Sequence, residues 1–343
     1  MSPKTDVTIR QTTAASNATP HVPAKTPSIG LALGGGGARG LAHIVMLEAF
    51  DELGIKPKII AGTSIGAIFG AAYASGLSAR EIRSHTEEVL SQRLALLRDL
   101  FAARAQPLQK LLNLFSAPSA VFNADALLNL VMPPGTKTAF ADLEIPLKIV
   151  ASDFYDQEQA IFTEGPLLSA VAASMALPAV FEPVIFNGRA MIDGGLTNPL
   201  PFDLLAQDCD IVVAIDVSGS PMPNPNRDHP SALEALFASA FLFERTIVRE
   251  KLKSSQPDIL INAGTGQYQA LEFLKYAGIL AAAEPAKERL KIQLARVLSV
   301  ETLAQLPRDR TPMIEMPAPA TAKRVKAPRR KLLTRRTKGG DAG

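Results

Sequence analysis

A chain of 343 residues, 47% of them apolar, can bury a sizeable core in one large α/β domain or two smaller ones. Its single cysteine, Cys209, excludes an intramolecular disulfide framework and suits a reducing compartment, and the four scattered histidines offer no metal-ligand spacing. The net charge of +3 is uneven: residues 318–343 hold nine Lys/Arg and one acid, leaving 27 basic and 32 acidic residues elsewhere, a mildly acidic body with a basic tail.

Residues 1–27 are rich in Ser, Thr, Ala and Pro and lack the apolar run of a secretory signal, so disorder is the expectation. Next come a strand over Ser28–Leu33, a glycine-rich loop and a helix over Gly40–Leu53. The 21 residues Ile59–Ala79 carry no charge, and Gly62, Gly66 and Gly70 recur at the spacing of packed membrane helices. The β-branched start of that stretch, however, reads as a strand over Lys58–Gly62, followed by a helix over Ile65–Ser75. No transmembrane helix is expected. Ser78 and Glu81 form a capping box for a helix reaching Ser91.

Further on, the pattern predicts a strand over Pro146–Phe154 and a helix over Leu167–Ala176. A hairpin follows, its strands Phe181–Phe186 and Arg189–Ile192 turning at Asn187-Gly188, and then a strand over Asp210–Val217. Helices over Ser231–Lys253 and Tyr268–Val300 flank a last strand, Ile259–Asn262. Alternating strands and helices of this kind build a mainly parallel sheet flanked by helices, an α/β/α fold. Half of the 26 prolines fall in 1–27, 221–230 and 306–343, marking linkers and tails. The expected organisation is an α/β core over 28–220, a mainly helical part over 221–305 packed on it, and a disordered basic tail over 306–343.

The glycine loop, Gly34 to Gly40, admits three chemistries. A nucleoside-triphosphate loop would end in Gly-Lys-Ser/Thr, and this one ends Ala38-Arg39-Gly40. Gly35, Gly37 and Gly40 do fit the G-x-G-x-x-G of a dinucleotide site, but no acid lies between Glu52 and Glu81 to hold a ribose. The third chemistry, an oxyanion loop, accounts for the second strand as well. Gly62-Thr63-Ser64-Ile65-Gly66 is G-x-S-x-G at a strand-to-helix turn, the setting of a nucleophile elbow.

A nucleophilic serine needs a base. His21, His85 and His229 lie away from any motif, and His43, one turn past the glycine loop, is better placed to pack or cap locally. Carboxylates are stronger candidates. Asp193 ends an apolar strand and precedes Gly194 and Gly195, which allow close backbone approach; Asp153 and Asp216 also end strands and are rivals.

These motifs together resemble the patatin-like phospholipase family. Gly35-Gly36-Gly37-Ala38-Arg39-Gly40 is similar to its oxyanion loop, Gly62–Gly66 to its elbow, Asp193-Gly194-Gly195 to its Asp-Gly-Gly/Ala motif, and Ala172–Val184 to a block preceding that motif. The resemblance spans about residues 28–220 and implies a Ser-Asp dyad. Ser64 would be the nucleophile and Asp193 the base. The amides of Gly36 and Gly37 would form the oxyanion hole, with Ile65 a further candidate, and Arg39 would support the loop. It implies a lipid acyl hydrolase of phospholipase A, lysophospholipase or esterase type, with a lipid or ester substrate and no metal or organic cofactor. A nucleotide-cofactor enzyme using Gly35, Gly37 and Gly40, or a non-catalytic lipid-binding protein, are the alternatives.

Two segments bear on membranes. Within 93–115, Leu97, Phe101, Leu108, Leu112 and Phe115 can share one helical face, forming a core-packing helix or a lid. The tail 318–343 is a solvated end or a contact for anionic lipid headgroups; without aromatics it is not expected to bind nucleic acid. The expected location is cytoplasmic, with peripheral membrane contact through the tail.

Overall fold

The computed structural model describes residues 26–92, 124–219, 229–230 and 232–299. The expectations for 1–25, for the amphipathic stretch 93–115 and for the basic tail lie outside these residues. Besides short 3-10 turns, the described part carries eight strands and seven α-helices. They are β1 (Ile29–Leu33), α1 (Ala42–Glu52), β2 (Ile59–Thr63), α2 (Ile65–Ala74), α3 (Ala79–Gln92), α4 (Ala124–Val131), β3 (Leu147–Asp153), β4 (Gln159–Phe162), α5 (Leu167–Ser174), β5 (Val184–Phe186), β6 (Arg189–Asp193), β7 (Ile211–Asp216), α6 (Ala232–Ser254), β8 (Ile259–Asn262) and α7 (Tyr276–Leu298).

All eight strands join one sheet through the pairings β5-β6-β3-β2-β1-β7-β8, with β4 also paired to β3. Strands β1, β2, β3, β7 and β8 are mutually parallel, while β4 and β6 run antiparallel to β3, and β5 antiparallel to β6. The period-2 alternation of side chains sorts the central strands into two unequal faces. Leu31, Leu33, Ile60, Val213 and Ile215 point into a large core shared with α1, α2, α5 and α7. Ala32, Ala61 and Ala214 point the other way, where the short turn Phe202–Leu205 and Val248 of α6 pack on a shallow surface. Small side chains on that face let a loop and a helix approach the sheet closely.

Most elements follow their predicted ranges. In the capping box, Ser78 N–H donates to Glu81 Oε2 at 2.8 Å and Glu81 N–H to Ser78 Oγ at 3.2 Å. Asn187 and Gly188 both take positive φ, as a two-residue hairpin turn requires, and Phe186 pairs with Arg189. The charge-free stretch from Ile59 is the buried strand-turn-helix β2–α2, and among the described residues no helix is long and apolar enough to cross a membrane.

Other ranges differ, and the first hairpin strand is shorter than predicted, Val184–Phe186 in place of Phe181–Phe186. The helix after the glycine loop opens as a 3-10 turn, Gly37–Leu41, because the loop enters it through a positive φ at Gly37. The last helix starts at Tyr276, eight residues later than the apolar pattern predicts, since residues 268–275 form turns over the glycine loop. Helix α4 and strand β4 escape the sequence reading; both are short, and their order depends on packing against α5 and β3.

Candidate active site

Ser64 sits between β2 and α2 with φ 54° and ψ −121°, a conformation that costs a non-glycine residue roughly 1–3 kcal/mol. The glycines on either side make the turn possible. A Cβ on Gly62 would lie 2.6 Å from the Gly66 carbonyl oxygen, and one on Gly66 would run into the Leu33 carbonyl. The Ser64 N–H is tied down by Ser174 Oγ at 2.8 Å, and that hydroxyl donates in turn to the Val150 carbonyl at 2.6 Å.

Strand register explains how Asp193 reaches this serine. Val150 of β3 has Thr63 on one side and Ile161 on the other, while Ala151 has Asp193 and Ala160. β4 therefore runs along one edge of β3, and β2 and β6 meet end to end along the other. The chain leaves β2 at Ser64 just where β6 finishes at Asp193. Ser64 Oγ donates a 2.6 Å hydrogen bond to Asp193 Oδ2, and Gly195 N–H donates to Oδ1 at 2.7 Å. Asp193 is only 3% exposed; burial pushes its carboxyl up to about 6, against the opposing pull of these two donors. Gly194 must be small, because a Cβ there would strike the Val150 carbonyl.

The rival bases are occupied elsewhere. Asp153 accepts the Tyr155 and Asp156 N–H groups and pairs with Arg189, and Asp216 accepts the Ser218 N–H. Both close the turns that follow their strands. His43 is fully buried and donates from Nε2 to the Gly34 carbonyl at 2.8 Å; burial holds its imidazole at about 4, so it is neutral.

The glycine loop faces the serine. Gly34 N–H donates to Ile215 O, Gly35 N–H to Pro199 O and Ala38 N–H to Ala270 O. Among the described residues the N–H groups of Gly36 and Gly37 have no acceptor. Neither position admits a side chain: a Cβ on Gly36 would lie 2.7 Å from the Val217 carbonyl oxygen, and one on Gly37, at φ 60°, would meet the Ala270 carbonyl. A Cβ on Gly40 would run into Ile65, which seats the loop against the start of α2. Two side chains hold the carbonyl side of the loop, His43 at Gly34 and Arg39, whose Nε donates to the Gly36 carbonyl at 3.1 Å. The buried Arg39 guanidinium also lies 4.9 Å from the ring centre of Phe241.

The family model for patatin-like phospholipases matches residues 31–206, a little over half of the chain. The chain belongs to the patatin-like phospholipase family. An NTE family protein of Mycobacterium bovis is 34% identical over 204 residues, 59% of this chain and 52% of that protein. The lysophospholipase NTE1 of Candida glabrata is 30% identical over 192 residues, 55% of this chain and 10% of that protein. The chain thus spans about half the length of its mycobacterial relative and a tenth of the yeast one. Among solved structures, VipD of Legionella pneumophila aligns with a TM-score of 0.45 at 14% identity, over 78% of this chain and 67% of that one.

In this patatin-like core, Ser64, Asp193 and the loop glycines Gly35, Gly36 and Gly37 open onto one cleft. Its walls are almost wholly apolar, with Ile68 and Phe69 from α2, Leu90 from α3, Leu127 from α4, and also Phe181 and Phe241. Sequence reasoning missed three contributors. Ser174 lies in the Ala172–Val184 block but carries no signature of its clamping role. Phe241 and Glu244 reach the cleft from α6, outside the stretch that resembles the family; nothing in their spacing marks them.

Proposed function

We propose that the protein is a serine hydrolase of lipid acyl esters, acting through Ser64 and Asp193. The observation that carries this reading is the 2.6 Å hydrogen bond from Ser64 Oγ to a buried carboxylate, on an apolar cleft that also takes in two loop glycines whose N–H groups have no acceptor among the described residues. Ser64 Oγ attacks the ester carbonyl carbon while its proton passes to Asp193. The carbonyl oxygen takes up the negative charge and accepts from the N–H groups of Gly36 and Gly37; each such donor is worth about 3–4 kcal/mol of barrier. Collapse of the tetrahedral species breaks the ester C–O bond, and the departing alkoxide takes the proton from Asp193. Water then attacks the acyl-enzyme with Asp193 again accepting a proton, releasing the carboxylic acid and restoring Ser64.

The apolar walls favour a hydrocarbon chain as the acyl part, and the names of relatives, a lysophospholipase among them, support phospholipids or lysophospholipids as the substrate class. Hydrolysis of a long-chain lysophospholipid and a long-chain nitrophenyl ester by the purified full chain tests this reading. Wild type should turn over and Ser64→Ala should not. Equal turnover by the two proteins would overturn it.

A further inference from the structure

Among the described residues, the cleft wall holds one titratable side chain that this mechanism leaves unused, Glu244. Helix α6 delivers it on a fixed face. Two turns further on, Lys251 Nζ donates to Asn198 Oδ1, to the Leu200 carbonyl at 2.7 Å and to Asp203 Oδ1 at 2.6 Å. One turn further on, Val248 packs on the shallow side of the sheet. Residues 244, 248 and 251 share one helical face, so these anchors aim Glu244 inward, where it is 5% exposed.

It meets Asp193 across Gly195. A Cβ on Gly195 would lie 2.7 Å from Glu244 Oε1 and 3.1 Å from Asp193 Oδ1, so only a hydrogen atom fits between them. The two carboxyls are then within about 6 Å of each other, a range in which the charge on one buried acid disfavours ionisation of the other. Their surroundings decide which one carries the charge. Asp193 accepts hydrogen bonds from Ser64 and Gly195. Burial and the Asp193 charge push Glu244 up to about 8, with Arg39 pulling the other way.

Resting on the dyad reading above, we propose that Glu244 is a positioning residue: it keeps the shared proton of the carboxyl pair, leaving Asp193 as the single carboxylate that Ser64 needs. The second glycine of the Asp-Gly-Gly motif is the space in which the two acids meet. When Glu244 ionises, a second negative charge lies against Asp193 and beside the position where oxyanion charge must grow, and turnover falls. The other charged groups in reach are Arg39 from the glycine loop, with Asp216 and Arg245 acting on it, while Lys251 and Asp203 neutralise each other.

Infrared spectroscopy and kinetics on the full chain test this separately. Wild type at pH 7 should show the C=O stretch of a buried neutral carboxyl, lost on raising the pH through about 8 and absent from Glu244→Gln. Its kcat/KM should fall about tenfold per pH unit beyond that point, whereas Glu244→Gln should lose this alkaline limb. Glu244→Ala makes the same prediction if the amide variant fails to fold. A band that persists in the variants, or an alkaline limb unchanged by them, overturns the proposal. A wild type that hydrolyses nothing defeats the hydrolase reading instead, and the infrared comparison still decides where the proton sits.

Discussion

The hydroxyl of Ser174 takes the backbone N–H of Ser64 at 2.8 Å and passes its own proton toward Val150 at 2.6 Å, so a side chain on α5 holds the strained turn against the sheet. Replacing it with alanine leaves this part-buried N–H without its partner, a loss of about 1–3 kcal/mol. Ser174→Ala should therefore lower stability by that amount in denaturant melts and reduce kcat more than it raises KM, because the angle of Ser64 relaxes. Unchanged kcat in a destabilised protein would mean that the clamp serves folding alone.

Asp193 should set the acid limb of activity. As the proposed base it must be ionised to accept the Ser64 proton, so kcat/KM should fall below about pH 6. The same burial works against folding. An aspartate titrates near 4 in the unfolded chain and at about 6 here, so the folded state holds the proton more tightly. Stability is lost as pH rises from about 4 to about 6, by about 3 kcal/mol in all. Asp193→Asn removes that loss. It should melt above wild type at pH 7, with the gap closing toward pH 4, while losing turnover.

The three glycines spaced four apart are not equivalent. Gly66→Ala drives a methyl group into the Leu33 carbonyl and should cost about 3 kcal/mol or more. At Gly70 a Cβ would meet Ile60 and Leu147 at 3.4 Å, ordinary contact, within a helix where alanine is preferred. Gly70→Ala should be neutral or stabilising by about 0.5–1 kcal/mol. Chemical denaturation of the two variants separates a glycine demanded by the elbow from one that is not.

What the sequence made legible follows from where backbone geometry constrains residue choice. Glycine at 36, 37, 62, 66 and 194 is written into the chain because carbonyl oxygens stand where a Cβ would go, so short motifs located the turn, the loop and the end of β6. Asp153, Asp193 and Asp216 look alike as strand ends. The two glycines after Asp193 single it out in sequence, but its approach to Ser64 depends on β2 and β6 meeting end to end along β3, and strand order is not local information. Ser174, Phe241 and Glu244 were illegible for the same reason: each acts across tens of residues or more, on a helix face that looks ordinary in sequence.

The most direct test of the central claim is covalent labelling of the purified chain by a fluorophosphonate, which reacts with a serine only when its oxygen is activated. Wild type should label at Ser64, identified by peptide mapping, and Ser64→Ala and Asp193→Asn should not label, although both remain folded. Labelling that persists in Ser64→Ala, or a folded wild type that stays unlabelled even with phospholipid vesicles present, would contradict the account.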